Sequence, residues 1–186
     1  ELVMGKNVLV PVADGTEDLE AVAIIDVLRR ADAKVTVASV TGSRQVTFSR
    51  GMVITADTLL ENCLNHPYDL VVLPGGIPGA ENLRDSTDLV SLLKRQRETG
   101  QLYGAICASP AVILEHHGLL EGRQATCHPA FAEQLTNKDR TASRVVVDGN
   151  CITSQGAGTA VEFSLALVEQ LFGREKRDEV AVGMAL

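Results

Sequence analysis

Apolar runs of strand length, separated by stretches with helical spacing, constrain this chain more than any other feature. Asn7 to Val12 is a continuous apolar run, and Asp69-Leu70-Val71-Val72-Leu73 is another; a run apolar on both sides belongs to a strand covered on both faces. Lys34 to Val40 is a β-branched strand, and Leu102 to Ile106 is a further short apolar run. Between and after them lie helices. Ala21, Ile24, Ile25 and Leu28 fall on one stripe, and Ser86 to Thr99 is amphipathic, with Lys94, Arg95, Arg97 and Glu98 outward and Gly100 as its stop. Ala160 to Phe172 and Arg174 to Leu186 supply two more helices. Gln45–Ser49 with Met52–Ala56 reads as a hairpin around Gly51 or as a pair of short extended pieces, Val145–Thr153 as a hairpin turning at Asp148-Gly149-Asn150, and Gln124–Cys127 as a short strand. Strands alternating with helices imply an α/β fold, an open, mostly parallel sheet with helices on both faces.

At 186 residues the chain is expected to form one domain, residues 1–186, with no linker or internal repeat. The net charge of −7 and the lack of any basic run exclude binding to a nucleic-acid backbone as the main activity. No apolar stretch approaches bilayer length, and the first residues lack the basic-then-apolar pattern of a signal peptide, so a membrane role is not expected. Cys63, Cys107, Cys127 and Cys151 are widely spaced and show no zinc-type pairing. A reducing cytoplasmic setting fits them best, and neither a metal nor an organic cofactor is expected.

The candidate chemistry centres on Leu102 to Leu114. A strand pattern there runs into a helical one with Cys107 at the joint, Pro110 in the first turn, and small Ala105 and Ser109 two residues either side. This is the layout of a nucleophile elbow. Amides and the positive end of a helix at such a turn would depress the thiol pKa; the other reading of Cys107 is a small buried hydrophobe. Asp14 and Glu17 are spaced as a capping box, which gives Glu17 a structural task. Glu20, at the edge of the apolar stripe, either leans into solvent or is a buried carboxyl with a raised pKa. The loop Pro74-Gly75-Gly76-Ile77-Pro78-Gly79 follows a strand, and its glycines let backbone N–H groups approach a ligand. His128 precedes Pro129 and serves either a central pocket or the cap of the helix Phe131–Leu135. His116 and His117 cap the end of the helix that Gly118 stops. Ser154-Gln155-Gly156-Ala157-Gly158-Thr159 is a second glycine loop after a strand, and it matches neither a phosphate loop nor a dinucleotide fingerprint. In an open parallel sheet ligands bind beyond the carboxyl ends of the strands, where Glu20, Gly75, Gly76, Cys107 and His128 all fall.

Four segments in order, Asp14-Gly15-Thr16-Glu17-Asp18-Leu19-Glu20, Val71-Val72-Leu73-Pro74-Gly75-Gly76, Ala105-Ile106-Cys107-Ala108-Ser109-Pro110 and Thr153-Ser154-Gln155-Gly156-Ala157-Gly158-Thr159, carry a resemblance over nearly the whole chain. The sequence resembles the DJ/PfpI (ThiJ) superfamily, in the branch of the Parkinsonism-associated protein deglycase and its bacterial and plant relatives. That resemblance implies a flavodoxin-like three-layer sandwich, a homodimer, Cys107 as reactive thiolate, Glu20 as a protonated carboxyl hydrogen-bonded to it, and His128 as the nearby imidazole. It further implies an oxyanion pocket made by the backbone N–H groups of Gly76 and Ala108, beside Gly75. The implied activity is a cofactor-independent glyoxalase or deglycase acting on an α-oxoaldehyde such as methylglyoxal, or on its early adducts; the implied alternative is a redox sensor or chaperone-like protein using oxidation of Cys107. Ala108 stands where the protease-like branch has histidine, and no late His-x-Glu pair of an amidotransferase is present. The second cysteine of some relatives is Phe48 or Thr55 here. Plant relatives often carry two such domains in tandem, so the resemblance also allows this chain to be one half of a longer product.

Overall fold

The computed structural model describes residues 5–186. In chain order its elements are β1 (Asn7–Val12), α1 (Asp18–Arg30), β2 (Lys34–Ser39), β3 (Gln45–Thr47), β4 (Val53–Thr55), β5 (Thr58–Leu59), β6 (Leu70–Leu73), α2 (Gly79–Arg84) and α3 (Thr87–Thr99). They continue with β7 (Leu102–Ile106), β8 (Val145–Asp148), β9 (Cys151–Ser154), α4 (Ala160–Phe172) and α5 (Arg174–Gly183). Seven strands form one sheet in the order β5-β2-β1-β6-β7-β9-β8, every pairing parallel except that of β8 with β9. β3 and β4 form a separate antiparallel hairpin.

The period-2 alternation of strand side chains explains why both faces are covered. Leu9, Val71, Leu73, Tyr103 and Ala105 face one layer, where they pack with Leu83 of α2 and Leu89 and Leu93 of α3. Val8, Val10, Val12, Leu70, Val72 and Ile106 face the other, against Ile24 and Leu28 of α1 and Phe163 and Leu167 of α4. Each run is therefore apolar at every position because each face has its own helical layer. Strand order reverses between β1 and β6, so the crevice where ligands bind in such sheets opens at their carboxyl ends, next to that of β7.

Several local expectations are corrected. The cap of α1 is Glu17 itself, whose carboxylate accepts the Glu20 N–H at 2.8 Å. Asp14 instead accepts the Thr47 N–H at 3.0 Å, tying the loop to the hairpin. Gln124–Cys127 is not a strand: its backbone bonds to side chains, Gln124 N–H to Asp148 and Thr126 N–H to Thr153, rather than to a ladder. The segment after Cys107 is a six-residue π-type helix, Pro110–Glu115, and Pro129–Gln134 is a 3-10 helix rather than an α-helix. His117 caps a different helix from the one expected, its Nε2 lying 2.8 Å from the Arg84 carbonyl at the end of α2. The last helix stops at Gly183, short of Leu186. Among the described residues no helix is long and apolar enough to cross a membrane.

The hairpin is latched to α1 by Asp18, which is 9% exposed and accepts the N–H groups of Arg50 at 2.7 Å and Met52 at 3.0 Å. Burial alone would raise its pKa, but the hydrogen bonds from Arg50 and Met52 outweigh burial and hold it below the usual 3.8. A depressed carboxylate contributes stability above its unfolded pKa and loses that contribution as pH falls through its folded value. Asp18→Asn should therefore cost on the order of 1–2 kcal/mol at pH 7. In urea melts the difference should shrink as pH drops below about 4. A gap that stays constant down to acid pH contradicts the latch.

Candidate active site

Three loops meet at the crevice. β7 leads directly into Cys107, which holds φ at +65°, a conformation an ordinary L residue avoids and an elbow requires. The strained residue is pinned from both sides: its N–H donates to the Ser154 carbonyl at 3.0 Å and its carbonyl accepts the His128 N–H at 2.7 Å. The thiol is half-buried, whereas Cys63, Cys127 and Cys151 are buried.

Glu20 reaches the same point from α1 and is completely buried. Its Oε1 accepts the Gly75 N–H at 2.9 Å, Oε2 is buried without a regular hydrogen-bond partner, and the Cys107 thiol lies beside the carboxyl. The glycine loop is held against both. Gly75 accepts the Glu17 N–H at 2.9 Å, and the buried Ser109 hydroxyl donates to the Pro74 carbonyl at 2.6 Å. Gly75 is required for space: a Cβ there would lie 2.6 Å from Cys107 Cβ, 2.7 Å from Glu20 Oε1 and 2.8 Å from the Ile106 carbonyl oxygen. Gly76 is required for conformation as well, with φ at +94°.

The electrostatics differ from the sequence expectation in one respect. Burial, and then the facing carboxyl of Glu20, push the Cys107 thiol up to about 12, although the N–H groups of Ala108 and Gly76 pull it down. The depressed thiol pKa expected from the elbow is thus overturned, because two amides and a short helix do not offset burial beside a second acid. Glu20 is raised to about 7, by burial first; the Cys107 thiol and the Gly75 N–H lower it and the Glu17 carboxylate adds to the rise. Between those two values the pair retains one proton. With the thiol raised further than the carboxyl, that proton rests on the Cys107 sulfur and the charge on Glu20, and the two amides at the sulfur lower the cost of passing it to Glu20 when the thiolate forms.

His128 stands across the crevice. A carbon placed as a Cβ on Gly156 would touch both His128 Cδ2, at 3.4 Å, and Cys107 Sγ, at 3.9 Å, so ring and thiol flank one point in space. His128 also caps its own 3-10 helix, Nδ1 accepting the Ala130 N–H at 3.1 Å, so the two roles left open by sequence coexist. The structure brings together Glu20, Gly75, Gly76, Cys107, Ala108 and His128. Sequence reasoning named Ser109 and Gly156 only as parts of motifs and missed the bond from Ser109 to Pro74, the N–H of Glu17 that holds Gly75, and the place of Gly156 beside Cys107. A second glycine loop at a strand's carboxyl end was the available signal for Gly156.

Comparison with known proteins places the chain among relatives. The DJ-1/PfpI family profile matches residues 6–170. The chain is 54% identical over 170 residues to Protein DJ-1 homolog B of Arabidopsis thaliana, covering 91% of this chain but 39% of that protein, so it spans well under half of that relative's length. It is 35% identical over 181 residues to the glutathione-independent glyoxalase DJR-1.2 of Caenorhabditis elegans, covering 96% of this chain and 95% of the relative. The solved structure of oxidized Toxoplasma gondii DJ-1 superposes with a TM-score of 0.95 at 45% identity, over 97% of this chain and 98% of that one.

Proposed function

The chain belongs to the DJ-1/PfpI family, with its flavodoxin-like fold, and from that premise we propose that it is a cysteine-dependent, cofactor-independent glyoxalase or deglycase acting on methylglyoxal or its early adducts. The observation that carries this reading is the buried Glu20 carboxyl against the Cys107 thiol, with the Gly76 and Ala108 N–H groups at the sulfur. Such a pair moves one proton at neutral pH without outside help. The naming of the nematode relative as a glyoxalase supports the same chemistry.

In the proposed reaction the Cys107 thiolate attacks the aldehyde carbon, and the new alkoxide, held by the Gly76 and Ala108 amides, takes the proton from Glu20. Glu20, now a carboxylate, removes the hydrogen from that carbon. The electron pair passes to form an enediolate whose negative oxygen lies on the second carbon. Glu20 returns the proton to the second carbon while the hydroxyl on the first carbon gives its proton to the oxygen on the second, leaving a 2-hydroxy thioester that water hydrolyses to the 2-hydroxy acid and free Cys107. Oxidation of one carbon and reduction of its neighbour balance within the substrate.

Lactate formation from methylglyoxal without glutathione tests the reading, with free and protein-adducted methylglyoxal run side by side. Wild type should produce lactate and Cys107→Ser none; equal rates for the two would overturn it. A second reading, oxidation sensing at Cys107, is favoured by the same two amides and protonated carboxyl, which would hold the oxygens of a sulfinate.

The proposal includes a homodimer. Leu19 and Val22 on α1 and Met52 and Val53 on the hairpin are 55%, 41%, 43% and 52% exposed, on two elements joined by Asp18. Light scattering at micromolar concentration should give twice the chain mass, and a monomer mass contradicts that part.

A further inference from the structure

We propose that the buried Ser109 hydroxyl is a positioning group of the site: by holding the Pro74 carbonyl it aims the Gly75 N–H, at the other end of the same peptide unit, at the carboxyl of Glu20. The proposal rests on the reading of Glu20 as the proton carrier, and it adds a residue that acts through the glycine loop alone.

The first support is the bond that Ser109 forgoes. It occupies the N-cap position of the helix Pro110–Glu115, where a serine hydroxyl ordinarily accepts an N–H of the first turn, yet it makes no such bond. Instead the completely buried hydroxyl donates to the Pro74 carbonyl at 2.6 Å, across the crevice. The side chain is committed to the loop at the expense of its own helix.

The second support is the way the loop is pinned. Pro74, Gly75 and Gly76 present three successive carbonyls, and each has a donor: the Ser109 hydroxyl holds the first, the Glu17 N–H the second at 2.9 Å and the Ala80 N–H the third at 2.8 Å. In a trans peptide unit the carbonyl and the N–H that follows point in opposite directions, so a carbonyl fixed on one side fixes the N–H on the other. The unit from Pro74 to Gly75 thereby delivers its N–H to Glu20 Oε1 at 2.9 Å, and the unit from Gly75 to Gly76 delivers its N–H to the Cys107 sulfur. Two glycines in a row have no side chains with which to hold these units still. Two of the three clamps are backbone amides, which any sequence supplies. Ser109 is the clamp that depends on a side chain.

Without the hydroxyl the Pro74 carbonyl loses its donor, the peptide unit swings, and the Glu20 carboxyl loses the bond that fixes its plane. Proton transfer between Cys107 and Glu20 needs that carboxyl held in reach, so the loss falls on the chemical step. Ser109 is closed to substrate, and binding is spared. The groups that act on Glu20 are the Cys107 thiol from the elbow, the Glu17 carboxylate from its own helix and the Gly75 N–H from the loop, with His128 across the crevice. Only the Gly75 bond is weakened by the change. Loss of a donor to the ionised form raises a carboxyl's pKa.

Ser109→Ala tests this with three readings. With methylglyoxal, kcat should fall about tenfold while KM stays within about twofold of wild type. The acid limb of the kcat profile, set near 7 in wild type by Glu20, should move up by about half a unit. Hydrogen exchange at the Gly75 amide, followed by NMR in protein labelled with nitrogen-15 glycine, should speed up on the order of tenfold. Ser164→Ala removes another completely buried hydroxyl, one bonded to the Ala160 carbonyl within α4, and should leave all three readings at wild type. Unchanged Gly75 exchange in Ser109→Ala overturns the positioning role. So does a change confined to KM, a fall in kcat with the acid limb unmoved, or an equal fall in Ser164→Ala. A wild type no faster than Cys107→Ser overturns instead the functional reading beneath the proposal, and Gly75 exchange still decides the part played by Ser109.

Discussion

Glu20→Gln should lower methylglyoxal turnover on the order of a hundredfold or more, while the protein remains folded. The amide keeps the shape of the carboxyl and still accepts the Gly75 N–H through its oxygen, but it cannot take and return a proton. The same substitution has a stability consequence with a definite sign. In the folded protein Glu20 titrates near 7 instead of 4.5, so between those values the folded chain holds a proton that the unfolded chain has released. A raised pKa of this kind gives a contribution that is complete below 4.5 and is lost as pH rises through about 7. Urea melts of the variant should therefore gain on wild type from pH 4 to pH 8. Turnover near wild type would remove Glu20 as the proton carrier, and a pH-independent stability difference would remove its raised pKa.

Gly75→Ala should have the second large effect, because one methyl group would meet three atoms of the site. Cys107 Cβ at 2.6 Å, Glu20 Oε1 at 2.7 Å and the Ile106 carbonyl oxygen at 2.8 Å are all too close. Two of them belong to the strand that carries the nucleophile, which can move only by breaking its bonds to β6 and β9. The loop must give way instead, and its N–H leaves Glu20. A cost of about 3 kcal/mol is expected from such overpacking, which lowers Tm by roughly 10 °C for a chain of this size. Turnover should fall below detection, and thiol alkylation of the folded variant should change in rate because the Gly76 N–H no longer meets the sulfur. Wild-type Tm with intact turnover would show that the loop relaxes freely and that the tight contact among Gly75, Glu20 and Cys107 is not required.

The central strands β1, β6 and β7 were legible in the sequence because they are buried on both faces and stay largely apolar along their length, as Leu70 to Leu73 does, whereas the short edge strand β5 was not read. The cysteine elbow was legible because small residues must flank a turn held at positive φ. Glu20 was legible only as a conflict, a carboxyl at the rim of an apolar stripe, and its partner lay 87 positions on in the chain. The least legible parts were those decided by tertiary contact. Asp14 had the spacing of a cap, but the hairpin claimed its side chain and left the capping to Glu17. Gln124 to Cys127 had strand composition, but its amides found the side chains of Asp148 and Thr153 before they could find a neighbouring strand. The thiol pKa was misjudged because the elbow motif announces its amides and says nothing of burial beside another acid. Gly156 stood in a glycine loop that matched no ligand fingerprint, and only folding set its empty side against Cys107 and His128.

The central claim is that Cys107 forms a covalent bond to the substrate, and trapping that bond tests it most directly. Protein mixed with carbon-13 methylglyoxal, quenched in acid within its first turnovers and digested for mass spectrometry, should carry the label on the peptide containing Cys107. The label should vanish in Cys107→Ser. Lactate formation with no label at Cys107, or label confined to lysine, arginine and the other cysteines, would contradict the account.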